Sequence, residues 1–231
     1  YVIVNDSAHI LNSVFGGGNY GIVGNSEATT ATTNIEILGG TIDKNVYGGA
    51  NQNNIYGSTT INVKGGHVKG AIYGGSNTSG TFSTSTTINV TGGKLGQAST
   101  PSNAVLFGGG YGSGTTVTQN ATVSILDTDG NVEIYGNSYG GSAQGTIGGN
   151  TLINIQDSPN ISNTINITGN VFAGGKGTNT ISAKINGNAT IAANTWDIHF
   201  ANLSITNGSV TASTPAAIQS NTTNIVYSVE R

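Results

Sequence analysis

The chain has 231 residues, with 10 acids against 7 bases and a formal net charge of -3 at pH 7. Charged residues are only 7% of it and Arg231 is the sole arginine. It therefore lacks the basic stripe that nucleic acid or an anionic membrane surface requires, and bidentate phosphate clamps are all but excluded. Cysteine is absent, which removes disulfides and thiolate metal sites and allows passage through an oxidising compartment without mispairing.

The 37 glycines do not make this a disordered chain. Prolines number only 3 and Ile, Val and Thr are abundant, opposite to the composition of disordered segments. No run of apolar residues approaches the length of a membrane-spanning helix. The chain opens at Tyr1 with neither Met nor a signal-type apolar segment, so the expectation is a piece of a longer protein.

In chain order, the first elements are a strand at Val2-Ile3-Val4, a short piece carrying Ile10, and an aromatic strand ending in Val14-Phe15-Gly16-Gly17. The same series then recurs. β-Branched, polar, β-branched triplets stand at Ile35-Glu36-Ile37, Ile61-Asn62-Val63, Ile88-Asn89-Val90, Val123-Ser124-Ile125 and Ile153-Asn154-Ile155. This period of two marks a half-buried strand. It predicts an outward column of Glu36, Asn62, Asn89, Ser124 and Asn154. Glycine pairs such as Gly39-Gly40, Gly65-Gly66 and Gly92-Gly93 follow, as corners needing positive φ or close backbone approach. Next come single inward aliphatics, Ile42, Val68, Leu95 and Val132.

The aromatic phrase closes each unit, at Val46-Tyr47-Gly48-Gly49, Ile72-Tyr73-Gly74-Gly75 and Leu106-Phe107-Gly108-Gly109. Looser copies stand at Ile134-Tyr135-Gly136-Asn137 and Val171-Phe172-Ala173-Gly174. A variable loop then leads to the next triplet. Glycine and β-branched residues disfavour helix throughout. Self-similarity at this spacing predicts an all-β fold, a parallel β-helix of about seven coils forming a rod roughly 30–40 Å long.

After Lys176 the glycine pairs vanish. Residues 1–176 read as regular repeats and 177–211 as a less regular section or cap around Trp196. Residues 212–231 read as a loop plus a last strand at Asn224-Ile225-Val226-Tyr227.

The Val-Tyr-Gly-Gly and Ile-Asn-Val-x-Gly-Gly phrases resemble repeats of large bacterial surface proteins, including autotransporter-type adhesin passengers. The resemblance covers roughly residues 1–176. It implies a secreted, surface-displayed stalk or adhesive module, and it carries over no catalytic residue.

The predicted aromatic column is Phe15, Tyr47, Tyr73, Phe107, Tyr135 and Phe172. Packing inside the rod is the expectation, with sugar stacking as the alternative. The loops after the second glycine pair should emerge on one edge. Their Asn19, Tyr20, Asn51, Gln52, Asn77, Tyr111 and Tyr139 have the chemistry of adaptable binding loops, or of solvated turns. Asp127 and Asp157 replace a corner glycine at the same offset, with Asp129 and Glu133 near in sequence. Such acids could hold Ca²⁺ or share a proton, although Asp also simply tolerates turns.

Other patterns have simpler origins. Gly136-Asn137-Ser138-Tyr139-Gly140 lacks the strand–turn–helix setting of a nucleophile elbow. Gly177 stands where a phosphate loop needs Ser or Thr after Lys176. His9 and His67 share a tolerant exposed position with Thr41 and Lys94.

The functional expectation is a non-enzymatic structural or adhesive segment, extracellular or at the cell surface. It would need no cofactor or metal. Partners would be glycan, protein or copies of itself, with no nucleic acid and no membrane insertion. The alternative is a carbohydrate-active β-helix enzyme using Asp127, Asp129 and Asp157.

Overall fold

The computed structural model describes residues 1–101, 103–156, 162–172 and 174–175. It also describes the backbone of the strands Ile181–Asn186, Thr190–Ala193, Asp197–Phe200, Asn202–Thr206, Ser209–Ala212, Ala217–Ser220 and Ile225–Ser228. The chain is all strand, and its paired strands run parallel to one another. It is a parallel β-helix, as the repeat predicts.

The triplet strands form the first sheet. Ile35 lies between Val2 and Ile61, and the register continues through Ile88, Val123 and Ile153. Among the described residues this sheet carries nine strands. That exceeds the expected seven or so coils because stacking continues through Ile181–Asn186, Asn202–Thr206 and Ile225–Ser228. Ala217–Ser220, expected as loop, is a strand beside Asp197–Phe200. One aliphatic residue among small and polar ones suffices when the preceding coil offers an unpaired edge.

Among the described residues, the short pieces form a second sheet of eight strands and the aromatic phrases a third of six. The inward aliphatics of the three sheets meet along the axis in one continuous core. Ile35, Ile61, Val68, Ile72, Ile88 and Leu95 have no exposed surface. Each such side chain contributes about 1.5–3 kcal/mol over its exposed state.

The variable loop also holds a strand, which the repeat did not foretell. Ser79–Phe82, Gly114–Val117 and Thr146–Ile147 make a fourth sheet of three strands. Isolated bridges extend it to Ile55 and Val23. Ile55, Phe82, Val117 and Ile147 pack there as a separate small core with Ala50 and Ala121. In sequence each is a lone apolar residue in polar surroundings, too sparse to give a period.

The two glycine corners have different causes. Gly40, Gly66 and Gly93 have φ of 76°, 74° and 89°, where a side chain is strained. Gly16, Gly48, Gly74 and Gly108 have no such φ. A Cβ on any of them would overlap the carbonyl of the equivalent glycine, or Gly140, in the next coil. The phrase is Gly-Gly because the backbones are too close for anything larger.

One element is out of the expected register. Ile134, not Val132, aligns with Leu95, and Val132 stands opposite Gly93. Tyr135 therefore faces Gly96 in the second sheet and is not part of the aromatic column. Ser138 and Tyr139 align with Leu106 and Phe107, and then with Val171 and Phe172. Ser138 fills the buried position that Leu or Val holds in adjoining coils. A search for an aliphatic before the aromatic passes over it.

Candidate functional site

Most of the repeated side chains hold one coil to the next. Phe15, Tyr47, Tyr73, Phe107, Tyr139 and Phe172 stack in one column with centroids 4.6 to 5.0 Å apart. Tyr47, Tyr73, Phe107 and Tyr139 are buried, so the faces of these rings are taken by neighbouring rings. Burial raises the phenol pKa of Tyr47, Tyr73 and Tyr139 above the usual tyrosine value, because the phenolate would lose its hydration. The expectation of a packed column stands, with Tyr139 in the place assigned to Tyr135. Tyr139 is accordingly not a loop residue of the exposed edge.

The remaining loop candidates do share one edge. Asn51 N–H donates to the Gly18 carbonyl, Asn77 N–H to Ala50 and Tyr111 N–H to Ser76. Asn19, Asn51, Asn77 and Tyr111 are thereby one column. The Asn51 amide donates to Asn19 at 2.7 Å and the Asn77 amide to Asn51 at 2.8 Å. Asn53, which adopts a φ of 112°, donates from its side chain to the Tyr20 carbonyl at 3.0 Å. Gln52 follows Asn51 with its N–H on the Asn19 carbonyl. Tyr20 is 66% exposed and Tyr111 42%.

Tyr111 ends the asparagine column and meets Tyr73 edgewise, centroids 5.3 Å apart at 70°. Tyr73 has both faces covered by Tyr47 and Phe107, so its edge meets the face of Tyr111. Beside this pair opens a cleft of about 400 Å³. Its far wall is an insertion. The chain passes almost directly from Val68 to Ile72, but between Leu95 and Leu106 it makes a detour, described at residues 97–101 and 103. The detour is anchored at its base. Asn137 N–H donates to the Asn103 carbonyl at 2.8 Å, and buried Val105 lies against Gly96 and Gly136. Both glycines have positive φ, 76° and 147°. A side chain on Gly136 would meet Val105 and the Asn103 carbonyl. Gly136 thus accommodates the insertion rather than turning an aromatic strand.

The outer face of the second sheet gathers much of the molecule's charge, a grouping invisible in the sequence. Asp43 bridges Lys69 Nζ at 2.7 Å and His9 Nε2 at 2.9 Å. Lys69 chiefly, with His9, holds the Asp43 carboxyl below its ordinary pKa. Two coils beyond Lys69, Glu133 accepts from the Tyr135 hydroxyl at 2.5 Å and pairs with Lys94 of the intervening coil at 2.9 Å. Those two donors, Tyr135 first, depress the Glu133 carboxyl. His67 Nε2 lies 2.7 Å from the Gly96 carbonyl.

The acidic candidates do not assemble among the described residues. Asp127 is fully buried at the corner and its carbonyl accepts from the Asn163 amide at 2.7 Å. Asp129 is exposed, with its N–H on Thr91, and Glu133 faces Lys94. No group of three or more His, Asp or Glu stands ready for a metal among the described residues. Asp157 lies outside them.

No family model matches the chain, and no curated protein or solved structure matches it.

Proposed function

We propose that the chain is a non-enzymatic structural or adhesive segment of an extracellular bacterial surface protein. It would bind glycan or protein through loops on one edge, or pack into a fibre. The observation that carries this reading is the division of labour among repeated side chains. Rings stack on rings, threonine hydroxyls cap glycine carbonyls, and asparagines bond asparagines. Such neighbour contacts add along a solenoid, so the rod can be lengthened without a new core. What varies from coil to coil is the edge bearing Tyr20, Gln52, Thr78 and Tyr111, where adaptable Asn, Ser, Gly and Tyr accumulate.

The test is to apply the labelled, purified chain to immobilised fibronectin, collagen and a glycan array, and to image it by electron microscopy. Saturable binding that is weakened by Tyr20→Ala is the expected result for an adhesive segment, and regular filaments for a structural one. Monodisperse rods that bind none of these surfaces would overturn the reading. So would turnover of a polysaccharide.

A further inference from the structure

We propose that the cleft between the insertion, residues 97–101 and 103, and Tyr111 is a binding site for one neutral sugar residue of a glycan chain. This rests on the adhesive reading above and gives it a location. Three observations point to it.

The first is that the cleft is built rather than accidental. One coil departs from the direct path that its predecessors take, and the departure is fixed by Val105 on Gly96 and Gly136 and by Asn137 on Asn103. In the column Asp43, Lys69, Gly96, Tyr135, the glycine is the member against which Val105 packs, and a side chain there would meet Val105 and the Tyr135 carbonyl.

The second is the aromatic wall. Tyr73 and Phe107 line the cleft, but their faces are occupied by the stack. Tyr111 lines the cleft, meets the Tyr73 edge and is 42% exposed. A partly exposed ring beside a polar cleft suits the apolar C–H face of a pyranose.

The third is the polar lining. Gln97, Asn103 and Gln144 are exposed residues that line the cleft, and a side-chain amide can both donate to and accept from a hydroxyl. The one charged group lining it, Lys69, is already paired with Asp43. A neutral polyhydroxylated ligand matches this set. An anionic sugar would find the lysine already neutralised, and a cationic ligand would find no carboxylate in the lining.

The test uses the full chain, titrated with N-acetyllactosamine, maltotetraose and 3′-sialyllactose by saturation-transfer NMR and calorimetry. At least one neutral sugar should bind, with transfer to its ring protons, and the sialylated sugar should bind no better. Tyr111→Ala should weaken binding about tenfold, whereas Tyr111→Phe should retain it. The paired change Gln97→Ala with Gln144→Ala should also weaken it, with the circular dichroism and denaturation midpoint unchanged. Binding indifferent to Tyr111→Ala and to the paired amide change overturns the cleft but leaves the adhesive reading standing. Preference for the sialylated sugar also overturns it. If no sugar binds, the cleft proposal fails, and binding to fibronectin or collagen then decides the adhesive reading separately.

Discussion

The Thr59 hydroxyl donates to the carbonyl of Gly74 at 2.6 Å, across the inside of the corner that joins the aromatic strand to the fourth sheet. Thr33 does the same for Gly48 at 2.5 Å and Thr86 for Gly108 at 2.7 Å. Three successive coils thus use a buried threonine to satisfy a carbonyl turned away from the sheet ladder. In the next coil this position is Ala121.

Thr59→Val should therefore cost about 1–3 kcal/mol, since it leaves a buried carbonyl without its donor. Thr59→Ser should recover much of the loss. Denaturant unfolding of the two variants checks this, and equal midpoints for Val and Thr at position 59 would contradict it.

Glycines should differ sharply in tolerance. Gly48→Ala places a methyl against the Gly74 carbonyl and should destabilise by about 1–3 kcal/mol. Gly66→Ala meets a positive φ of 74° and should cost about 1–2 kcal/mol from that alone. Gly130→Ala meets open space and should stay within about 0.5 kcal/mol of the parent. Chemical denaturation of the three variants gives the ranking directly.

Phe107 is 2% exposed and stacks against Tyr73 and Tyr139. Phe107→Ala should lose about 3–5 kcal/mol, because a rigid stack cannot collapse into the void. Tyr47→Phe should cost about 1 kcal/mol, the value of its hydroxyl with the Asn45 amide. Comparable losses in both variants would mean that the column is not the closely packed stack described.

Stability should fall toward both extremes of pH. The Asp43 and Glu133 carboxyls are depressed in the folded chain. Their contribution is present above the unfolded carboxylate pKa, about 4, and is lost as pH falls through the folded values. Tyr47, Tyr73 and Tyr139 are raised by burial. Their contribution is present below the unfolded tyrosine pKa, about 10, and is lost as pH rises through the folded values. Tyrosinate absorbance should develop together with unfolding in alkali. Asp43→Asn with Glu133→Gln should flatten the acid limb.

The coil is legible from local pattern alone. Ile61-Asn62-Val63 and its copies alternate with period two, and an alternation shared by successive units can pair in register only by stacking them. Val2, Ile10 and Val14 are assignable to the first coil on the same ground, because their order repeats that of Ile35, Ile42 and Val46, at intervals of 8 and 4 residues against 7 and 4. Tertiary structure decided what repetition cannot encode. Ser138 takes a core position because Tyr139 must join the stack, so the better-looking phrase at Tyr135 loses its place. Ile55, Phe82 and Val117 make a fourth sheet because each meets its equivalent across loops of unequal length. The cleft exists only because residues 97–101 and 103 leave the stack beside Tyr111. Strand stacking follows from a local pattern, whereas a site formed by departure from the pattern depends on which distant side chains the detour happens to meet.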